Sequence, residues 1–286
     1  MLNQQQTDQY RRDGFTVYPG FLSRKDIDSF LGAVESVTEG NTLANHDKNR
    51  MEMEPDQPPN GTMVRRLYEP CTHYPIFRDF AESASLLDCV EQLLGPNVVF
   101  HYSKLNMKPA AIGSVVEWHQ DLAYYPLSNC DSLAVLLYLD DADQHNGCLR
   151  IITGRHLVRL MDHTRDGFFQ GKITVPVPES QAVSVEGLAG TAIFMHSMAP
   201  HSSAPNRSLH PRRTLILSYR AADAYPIYIG EETVGVEANV RLVRGSAQAE
   251  ARFTLTSFPI PRRRWKTASL YELQERSREQ TGGRKG

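Results

Sequence analysis

The chain has 286 residues, of which 41% are hydrophobic, and its 33 acidic and 31 basic residues give a net charge of −2. This composition excludes a chain that is disordered over most of its length, and the length suits one large β-rich domain or two small ones. The near-zero charge argues against a nucleic-acid-binding protein, although residues 241–286 hold eleven Lys and Arg against four Asp and Glu. We interpret this basic tail as a solvated surface.

The cysteines and the N-terminus indicate a cellular compartment. The four cysteines are scattered and include no Cys-x-x-Cys pair, so they form no disulfide framework. The N-terminus has no basic stretch leading into an apolar core, and no run approaches the roughly 18 apolar residues of a membrane span. We therefore expect a soluble, cytoplasmic protein with no membrane partner.

Helical patterns dominate the first third of the chain. A short helix is predicted over residues 8–13, with Thr7 as its N-cap, and it precedes a strand over residues 15–18. Apolar residues at helical spacing predict two longer helices, over 24–39 and 83–94. Residues 40–63 are polar and hold three prolines, which predicts a long mobile loop. It is either a lid over an active site or an irregular surface insertion.

Short apolar segments separated by Gly, Pro, Asn and Asp turns follow from residue 98 onward. They predict strands over residues 98–104, 114–118, 133–139, 149–153, 182–185, 191–194 and 214–219. The pattern favours a mainly β fold with flanking α-helices, whose core is a double-stranded β-helix, that is, a jelly roll of the cupin-like kind. We expect a single domain over 1–286, with N-terminal helices over about 7–95, the jelly-roll core over about 96–222 and a basic C-terminal extension over about 223–286.

The candidate chemistry begins at Trp118-His119-Gln120-Asp121. In an extended strand residues i and i+2 point to one face, so His119 and Asp121 can reach the same ion. A jelly roll brings distant strands together, which allows His201 to return beside them. Two histidines and one carboxylate form a facial triad with three open metal positions, the arrangement used for non-haem Fe(II) chemistry with O2.

These residues resemble the phytanoyl-CoA dioxygenase family of Fe(II)/2-oxoglutarate-dependent oxygenases. The resemblance rests on His-x-Ser-x-x-Asn-x-Ser at 201–208, Asn-Gly-Cys-Leu at 146–149 and Asp-Gly-Phe at 13–15, and it runs over about residues 7–222. It implies that His119, Asp121 and His201 bind Fe(II). It also implies that Arg212, eleven residues after His201, pairs with the far carboxylate of the cosubstrate 2-oxoglutarate, because a planar guanidinium gives a bidentate pair.

Further candidate contacts surround these residues. The candidates for additional contact with 2-oxoglutarate are Asn106, Ser203 and Thr214. Aromatic and basic side chains near the metal motif predict a pocket for a small, polar or anionic substrate, with the candidates Tyr102, Lys104, Tyr124, Tyr125 and Arg150.

A second histidine and arginine share the spacing of His201 and Arg212. His196 and Arg207 are also eleven residues apart, but the Ser-x-x-Asn-x-Ser phrase follows His201, and Arg212 opens an apolar strand. We interpret His196 as a strand-end histidine bonded to the backbone. Five further histidines, at 101, 145, 156, 163 and 210, are interpreted as hydrogen-bonded or exposed residues.

The resemblance implies an enzyme that decarboxylates 2-oxoglutarate to succinate and CO2 and hydroxylates an unactivated C–H bond of a small metabolite. Desaturation or cyclisation at the same iron site is an alternative outcome. Asp121 fills the carboxylate position that related halogenating enzymes leave open, so we expect oxygen transfer. Two other classes stay open, a zinc-type hydrolase and a non-catalytic small-molecule-binding barrel, and neither explains Arg212.

Overall fold

The computed structural model describes residues 1–227, 239–255, 257–259, 262 and 270–282. Six α-helices are described, namely α1 (Gln4–Asp13), α2 (Arg24–Thr38), α3 (Pro70–His73), α4 (Pro75–Ala81), α5 (Ala84–Leu94) and α6 (Leu270–Gly282). Within these residues, no helix is both long enough and apolar enough to cross a membrane.

The first helix begins earlier than predicted. Asn3, rather than Thr7, is its N-cap, because the Asn3 side chain accepts from the Gln6 N–H while the Gln6 side chain accepts from the Asn3 N–H. This reciprocal pair is a capping box, which satisfies two N–H groups at the helix end. The predicted helices at 24–39 and 83–94 agree with α2 and α5 to within one residue at each end.

The strands form two main antiparallel sheets and one small hairpin. They are β1 (Phe15–Tyr18), β2 (Met51–Met53), β3 (Val64–Tyr68), β4 (Val98–Lys108), β5 (Val116–His119), β6 (Ser132–Tyr138), β7 (Leu149–Ile152), β8 (Thr164–Arg165), β9 (Phe168–Phe169), β10 (Ala182–Val185), β11 (Ala192–His196), β12 (His201–Ser203), β13 (Arg212–Ala221) and β14 (Arg241–Arg244). The large sheet has the order β1-β11-β6-β13-β4-β3-β2, with β14 also paired to β4, and the small sheet has the order β10-β7-β12-β5.

The two sheets pack face to face around a shared apolar layer. Leu149 and Ile151 of the small sheet belong to the same buried cluster as Leu136, Ile193 and Ile216 of the large one. The opposite face of the large sheet is covered by α2, α4 and α5, in a cluster that unites helix and strand side chains. Because strand side chains alternate between faces, every second residue of the central strands points between the sheets, where the candidate site lies.

Three sequence expectations differ from the structure. Residues 40–63 are not one continuous loop, because Met51–Met53 pairs with Val64–Tyr68 and buries both methionines. β3 and β12 were not predicted, since Arg65, Arg66 and the polar His201–Ser203 segment lack the apolar alternation that indicates a strand. The helices α3 and α4 are short and also escaped prediction.

The basic extension over about 223–286 falls partly outside the described residues. Its described C-terminal helix is not a solvated surface, because Tyr271, Leu273 and Gln274 are all less than 5% exposed. The sequence did not indicate that one face of this helix is buried, because the segment is polar overall. Basic residues lie on the same helix as the buried side chains, so the net charge of the segment suggested exposure to solvent.

Candidate active site

Three side chains converge at one end of the small sheet. His119 ends β5 and His201 begins β12, and the two residues are direct cross-strand partners with ring centroids 4.1 Å apart. Asp121 Oδ1 lies 3.7 Å from His119 Nε2 and 3.9 Å from His201 Nε2. All three side chains are buried, and the three ligand atoms lie within 4.8 Å of one another. We call these three residues the triad.

The turn after β5 brings Asp121 to this position. Asp121 does not continue the strand as expected, but begins a 3-10 turn over Asp121–Ala123 after one extended residue, Gln120. Gln120 is fully buried, and its side chain donates to Met198 O and accepts from Met161 N. Its N–H donates to His163 Nε2. Sequence reasoning missed Gln120. The available signal was its position between two predicted metal ligands, where an amide side chain that is buried needs hydrogen-bond partners and so can anchor the turn.

Backbone carbonyls set the tautomers of both histidines. His119 Nδ1 lies 2.8 Å from Glu117 O, and His201 Nδ1 lies 3.0 Å from Ala199 O. A carbonyl oxygen only accepts, so each Nδ1 carries the hydrogen and each Nε2 presents its lone pair to the triad. Burial lowers the pKa of both imidazoles, which keeps them neutral and able to bind a metal.

Arg212 lies buried on β13 in a cavity that His119 and His201 also line. Its Nη1 donates to Thr214 Oγ1 and its Nη2 donates to Gly147 O, both at 2.7 Å. Its Nε is buried and has no hydrogen-bond partner within the described part of the chain. The guanidinium is therefore fixed in place with donors to spare, whereas Arg207, the competing arginine, is exposed.

Two of the motifs that carry the family resemblance, at residues 146–149 and 201–208, form the walls around Arg212. Gly147 has φ 78°, and a Cβ there would lie 2.2 Å from Ala204 O, so only glycine fits between this turn and the loop after β12. Asn206 donates to Lys108 O and to His210 O, and accepts from Ser208 N–H. These bonds fasten the loop between β12 and β13 onto β4, which sets where Arg212 begins its strand.

A polar ladder on the inner face of the large sheet forms the floor of this cavity. Cross-strand register places Arg66, Asn106 and Thr214 in one row, and Lys108 and Arg212 in the next. The predicted residues Asn106 and Ser203 line the cavity, and Thr214 contacts Arg212 directly. Sequence reasoning missed nine further lining residues, namely Lys108, Val116, Leu136, Tyr138, Leu149, Ser202, Ile216, Leu270 and Tyr271.

A second cavity of about 230 Å³ adjoins the triad on the side of Asp121. Four of the five predicted substrate residues line it, namely Tyr102, Lys104, Tyr124 and Tyr125. Six lining residues were missed, namely Arg66, Tyr68, Glu69, Ser103, Leu270 and Leu273. Arg150 lies elsewhere, because its guanidinium stacks over Trp118 and pairs with Glu179 at 3.3 Å.

The second cavity is lined by two basic side chains, Arg66 and Lys104, and two acidic ones, Glu69 and Asp121. Arg66 is 5% exposed, and while its Nε donates to Asn106 Oδ1 at 3.0 Å, its Nη2 is buried with no hydrogen-bond partner among the described residues. Burial lowers the pKa of Lys104, whose Nζ is 3.5 Å from Tyr102 Oη. Burial raises the pKa of Glu69 to about 7, although its carboxylate accepts from Ser103 N–H.

His196 and the five further histidines agree with their interpretation as hydrogen-bonded or exposed residues, with one exception. His196 ends β11, and its Nδ1 accepts from Met198 N–H. His163 and His156 each hydrogen-bond to backbone, while His145 and His210 are exposed. The exception is residue 101, a buried histidine whose Nδ1 has no partner within the described residues and whose ring packs against Tyr102 and Tyr125.

The donor set of the triad fits Fe(II). Two neutral imidazole nitrogens and one carboxylate, all on one side, are the ligands of mononuclear non-haem iron sites with open positions. The fixed Arg212 guanidinium in the adjoining cavity fits a dicarboxylate that binds the metal at one end and the guanidinium at the other. A zinc hydrolase would need the triad but not this second, cationic end of the cavity.

Comparisons with known proteins agree with this geometry. The family model for phytanoyl-CoA dioxygenase (PhyH) matches residues 10–214. A probable alpha-ketoglutarate-dependent hypophosphite dioxygenase from Stutzerimonas stutzeri is 29% identical over 230 residues, which cover 78% of this chain and 80% of that protein. An ectoine dioxygenase from Bordetella parapertussis is 24% identical over 241 residues, with coverage of 78% and 76%.

Solved structures show the same fold. EctD from S. alaskensis with 2-oxoglutarate and 5-hydroxyectoine aligns with a TM-score of 0.69 at 24% identity, over 88% of each chain. The prediction of a mainly β, jelly-roll fold is confirmed. The helix α6 lies outside residues 10–214, so the family match does not account for it.

Proposed function

The chain belongs to the phytanoyl-CoA dioxygenase family, and from that premise we propose which residues perform its chemistry and on what class of substrate. It is a non-haem Fe(II)- and 2-oxoglutarate-dependent dioxygenase that hydroxylates a small molecule, with decarboxylation of 2-oxoglutarate to succinate and CO2. The triad binds Fe(II) in this proposal, and Arg212 anchors the cosubstrate. The buried, fixed guanidinium of Arg212 in the cavity lined by both triad histidines is the observation that carries the proposal.

The protein's part in the reaction is to orient and to exclude water. Bound Fe(II), 2-oxoglutarate and O2 supply the oxidising chemistry. The carbonyls that hold the Nδ1 hydrogens of His119 and His201 keep both imidazoles aimed at one point. The cavity that contains Arg212, here called the cosubstrate cavity, is also lined by the apolar residues Val116, Leu136 and Ile216. This apolar surface strengthens the pairing of a carboxylate with Arg212.

Asp121 favours oxygen transfer over halide transfer. Its carboxylate occupies the position that a halide would need in order to bind the same metal. Asp121 is 4% exposed and faces both histidine Nε2 atoms, which supports a role in metal binding. Hydroxylation is therefore the outcome that this donor set favours.

The substrate of this proposal is a small anion. Arg66 and Lys104 both line the second cavity, and Arg66 keeps a buried Nη2 without a partner among the described residues. A buried cation is costly unless it is paired, and an anionic substrate supplies the missing partner. The relative that is 29% identical is named for hypophosphite, which is itself a small oxyanion. The cavity volume of about 230 Å³ suits a compact molecule.

Substrate-stimulated succinate formation tests this assignment. The Fe(II) enzyme is incubated with 2-oxoglutarate and O2, and with matched molecules that are anionic (methylphosphonate, hypophosphite, acetate), zwitterionic (proline) or neutral (acetamide). We expect an anion to stimulate succinate formation, and Arg66→Gln or Lys104→Gln to raise the KM for that anion at least tenfold. Arg207→Gln, at an exposed arginine, is the matched control. Stimulation by neutral molecules alone would contradict the anionic assignment while leaving the oxygenase intact.

A further inference from the structure

A glutamate shares the second cavity with the two basic residues. Glu69 lines this cavity together with Arg66 and Lys104, whereas Asp121, the other acidic residue there, belongs to the triad. The backbone of Glu69 has φ 45° and ψ 49°, in the left-handed region. A glycine would adopt this conformation without strain, so the presence of a glutamate needs a reason of its own.

Only one of the two Glu69 carboxyl oxygens has a hydrogen-bond partner among the described residues. Oε2 accepts from the Ser103 N–H at 3.2 Å, and Ser103 Oγ lies 3.4 Å from the same oxygen. Ser103 is 2% exposed, and its hydroxyl accepts from the Cys71 N–H. The carboxyl is therefore held against β4, and its other oxygen, Oε1, is available to a ligand in the cavity.

Glu69 also has no ion-pair partner within the part of the chain that the structure describes. Lys104 and Arg241 are the basic residues whose charge acts on it, but Arg241 pairs with Glu82, and Lys104 Nζ lies beside Tyr102 Oη. Burial raises the pKa of Glu69 to about 7. A carboxylate that is removed from water is costly without a cation, and a positively charged group on a ligand would supply that partner.

We propose that the substrate is amphoteric, with an ammonium group as well as its acidic group, and that Glu69 is the specificity residue that binds the ammonium group. The acidic group contacts Arg66 and Lys104, as in the proposed function, on which this inference rests. The ammonium group donates to Glu69 Oε1, while Ser103 holds the carboxylate in place. Amino-carboxylates and aminophosphonates share this chemistry, whereas a simple anion of the same size leaves Glu69 unpaired.

Pairs of compounds that differ only by an amino group test this inference. The pairs are acetate and glycine, propionate and β-alanine, butyrate and 4-aminobutyrate, and methylphosphonate and aminomethylphosphonate. Calorimetry at pH 8 and without O2 measures their Kd for the wild type, both metal-free and loaded with Fe(II) and 2-oxoglutarate. We expect the amino member of at least one pair to bind roughly tenfold tighter than its partner, because it gains a hydrogen bond between charged groups.

Two matched variants assign this preference to one side chain. Glu69→Gln removes the charge but keeps an oxygen that accepts from the Ser103 N–H, and Glu39→Gln is the control at an exposed glutamate. We expect Glu69→Gln to lose the preference for the amino member and Glu39→Gln to keep it. Glu69→Gln should bind the simple anion at least as tightly as the wild type does, a result that general damage to the site would not give.

The pH dependence of the preference gives a second readout on the wild type alone. The ratio of the two Kd values within a carboxylate pair cancels effects on their shared acidic group, including those of Lys104 and Arg241. Glu69 gains its charge as the pH rises through about 7, so the preference should grow from pH 6 to pH 8. Cys71 and Tyr102, whose charges would also act on Glu69, stay neutral over this range, because burial raises the pKa of both.

Three results would overturn the inference. They are weaker or equal binding of the amino member in every pair, a preference that survives in Glu69→Gln, and a preference that does not change between pH 6 and pH 8. Succinate formation separates this inference from the proposed function. If the preference depends on Glu69 but no compound stimulates succinate formation, the proposed function has failed and the assignment of Glu69 has not.

Discussion

Replacing Arg212 with lysine separates the charge of the cosubstrate anchor from its geometry. The guanidinium spends one donor of Nη1 on Thr214 Oγ1 and one of Nη2 on Gly147 O, and it keeps three N–H donors for a carboxylate. A lysine ammonium keeps the positive charge but presents a single nitrogen, so the bidentate pair is lost. A hydrogen bond to a charged group is worth about 1.5–3 kcal/mol. We therefore expect the Kd for 2-oxoglutarate to rise roughly ten- to a hundredfold.

Anaerobic titration of the Fe(II) protein with 2-oxoglutarate measures this change through the visible charge-transfer absorption. Iron affinity, measured without 2-oxoglutarate, should be the same in Arg212→Lys as in the wild type, because Arg212 is not a member of the triad. Arg207→Lys is the matched control, since Arg207 has the same spacing from His196 that Arg212 has from His201 but is exposed. An unchanged Kd in Arg212→Lys would refute the anchor, and a raised Kd in Arg207→Lys would move it there.

Three further predictions concern the turn at Gly147, the carboxyl of Glu69 and the product. The control Gly20→Ala should lower the free energy of unfolding, measured in urea, by about 1–2 kcal/mol. This is the cost of an alanine in the left-handed conformation, and nothing lies within 4 Å of the added Cβ. Gly147→Ala should lower the free energy of unfolding by more than Gly20→Ala does, because its Cβ meets Ala204 O at 2.2 Å. Glu69, with a pKa raised to about 7, is neutral below that pH and negative above it, so the KM for an anionic substrate should rise as the pH passes 7. Glu69→Gln should abolish that rise, and a rise that persists would assign it to another group. With the true substrate, 18O2 and excess chloride, mass spectrometry should find one labelled oxygen in the product, whereas a chlorinated product would contradict the role given to Asp121.

The residues that the sequence identified share a simple physical signature. His119, Asp121 and His201 are residue types that bind metals, and the apolar segment that forms β5 is visible in the sequence, although its polar partner strand β12 is not. The conformation of Gly147 and the bonds of Asn206 explain why the phrases around them are recognisable, since each holds the wall behind Arg212. At these positions the residue type and the local backbone conformation are enough to indicate the role of the residue.

The residues that escaped prediction act through tertiary placement. Arg66 looks like a surface arginine in sequence, yet the register of β3 beside β4 turns it toward Asn106 in the interior. Tyr271 lies in a polar, basic segment, and its burial depends on two arginines more than 200 positions away. Arg150, predicted to face the substrate, instead stacks over Trp118. Neither periodicity nor spacing reports contacts of this kind, because they arise only when distant strands are brought together.

Anaerobic reconstitution with Fe(II) and 2-oxoglutarate tests most directly whether the triad is the iron site of this dioxygenase. We expect a visible metal-to-ligand charge-transfer band in the wild type. Replacing any one triad residue with alanine should abolish that band and leave the thermal unfolding of the metal-free protein unchanged. Neither a zinc hydrolase nor a non-catalytic binding barrel predicts the band. Its absence from the wild type, or its full persistence in any one of the three alanine variants, would contradict this assignment of the iron site.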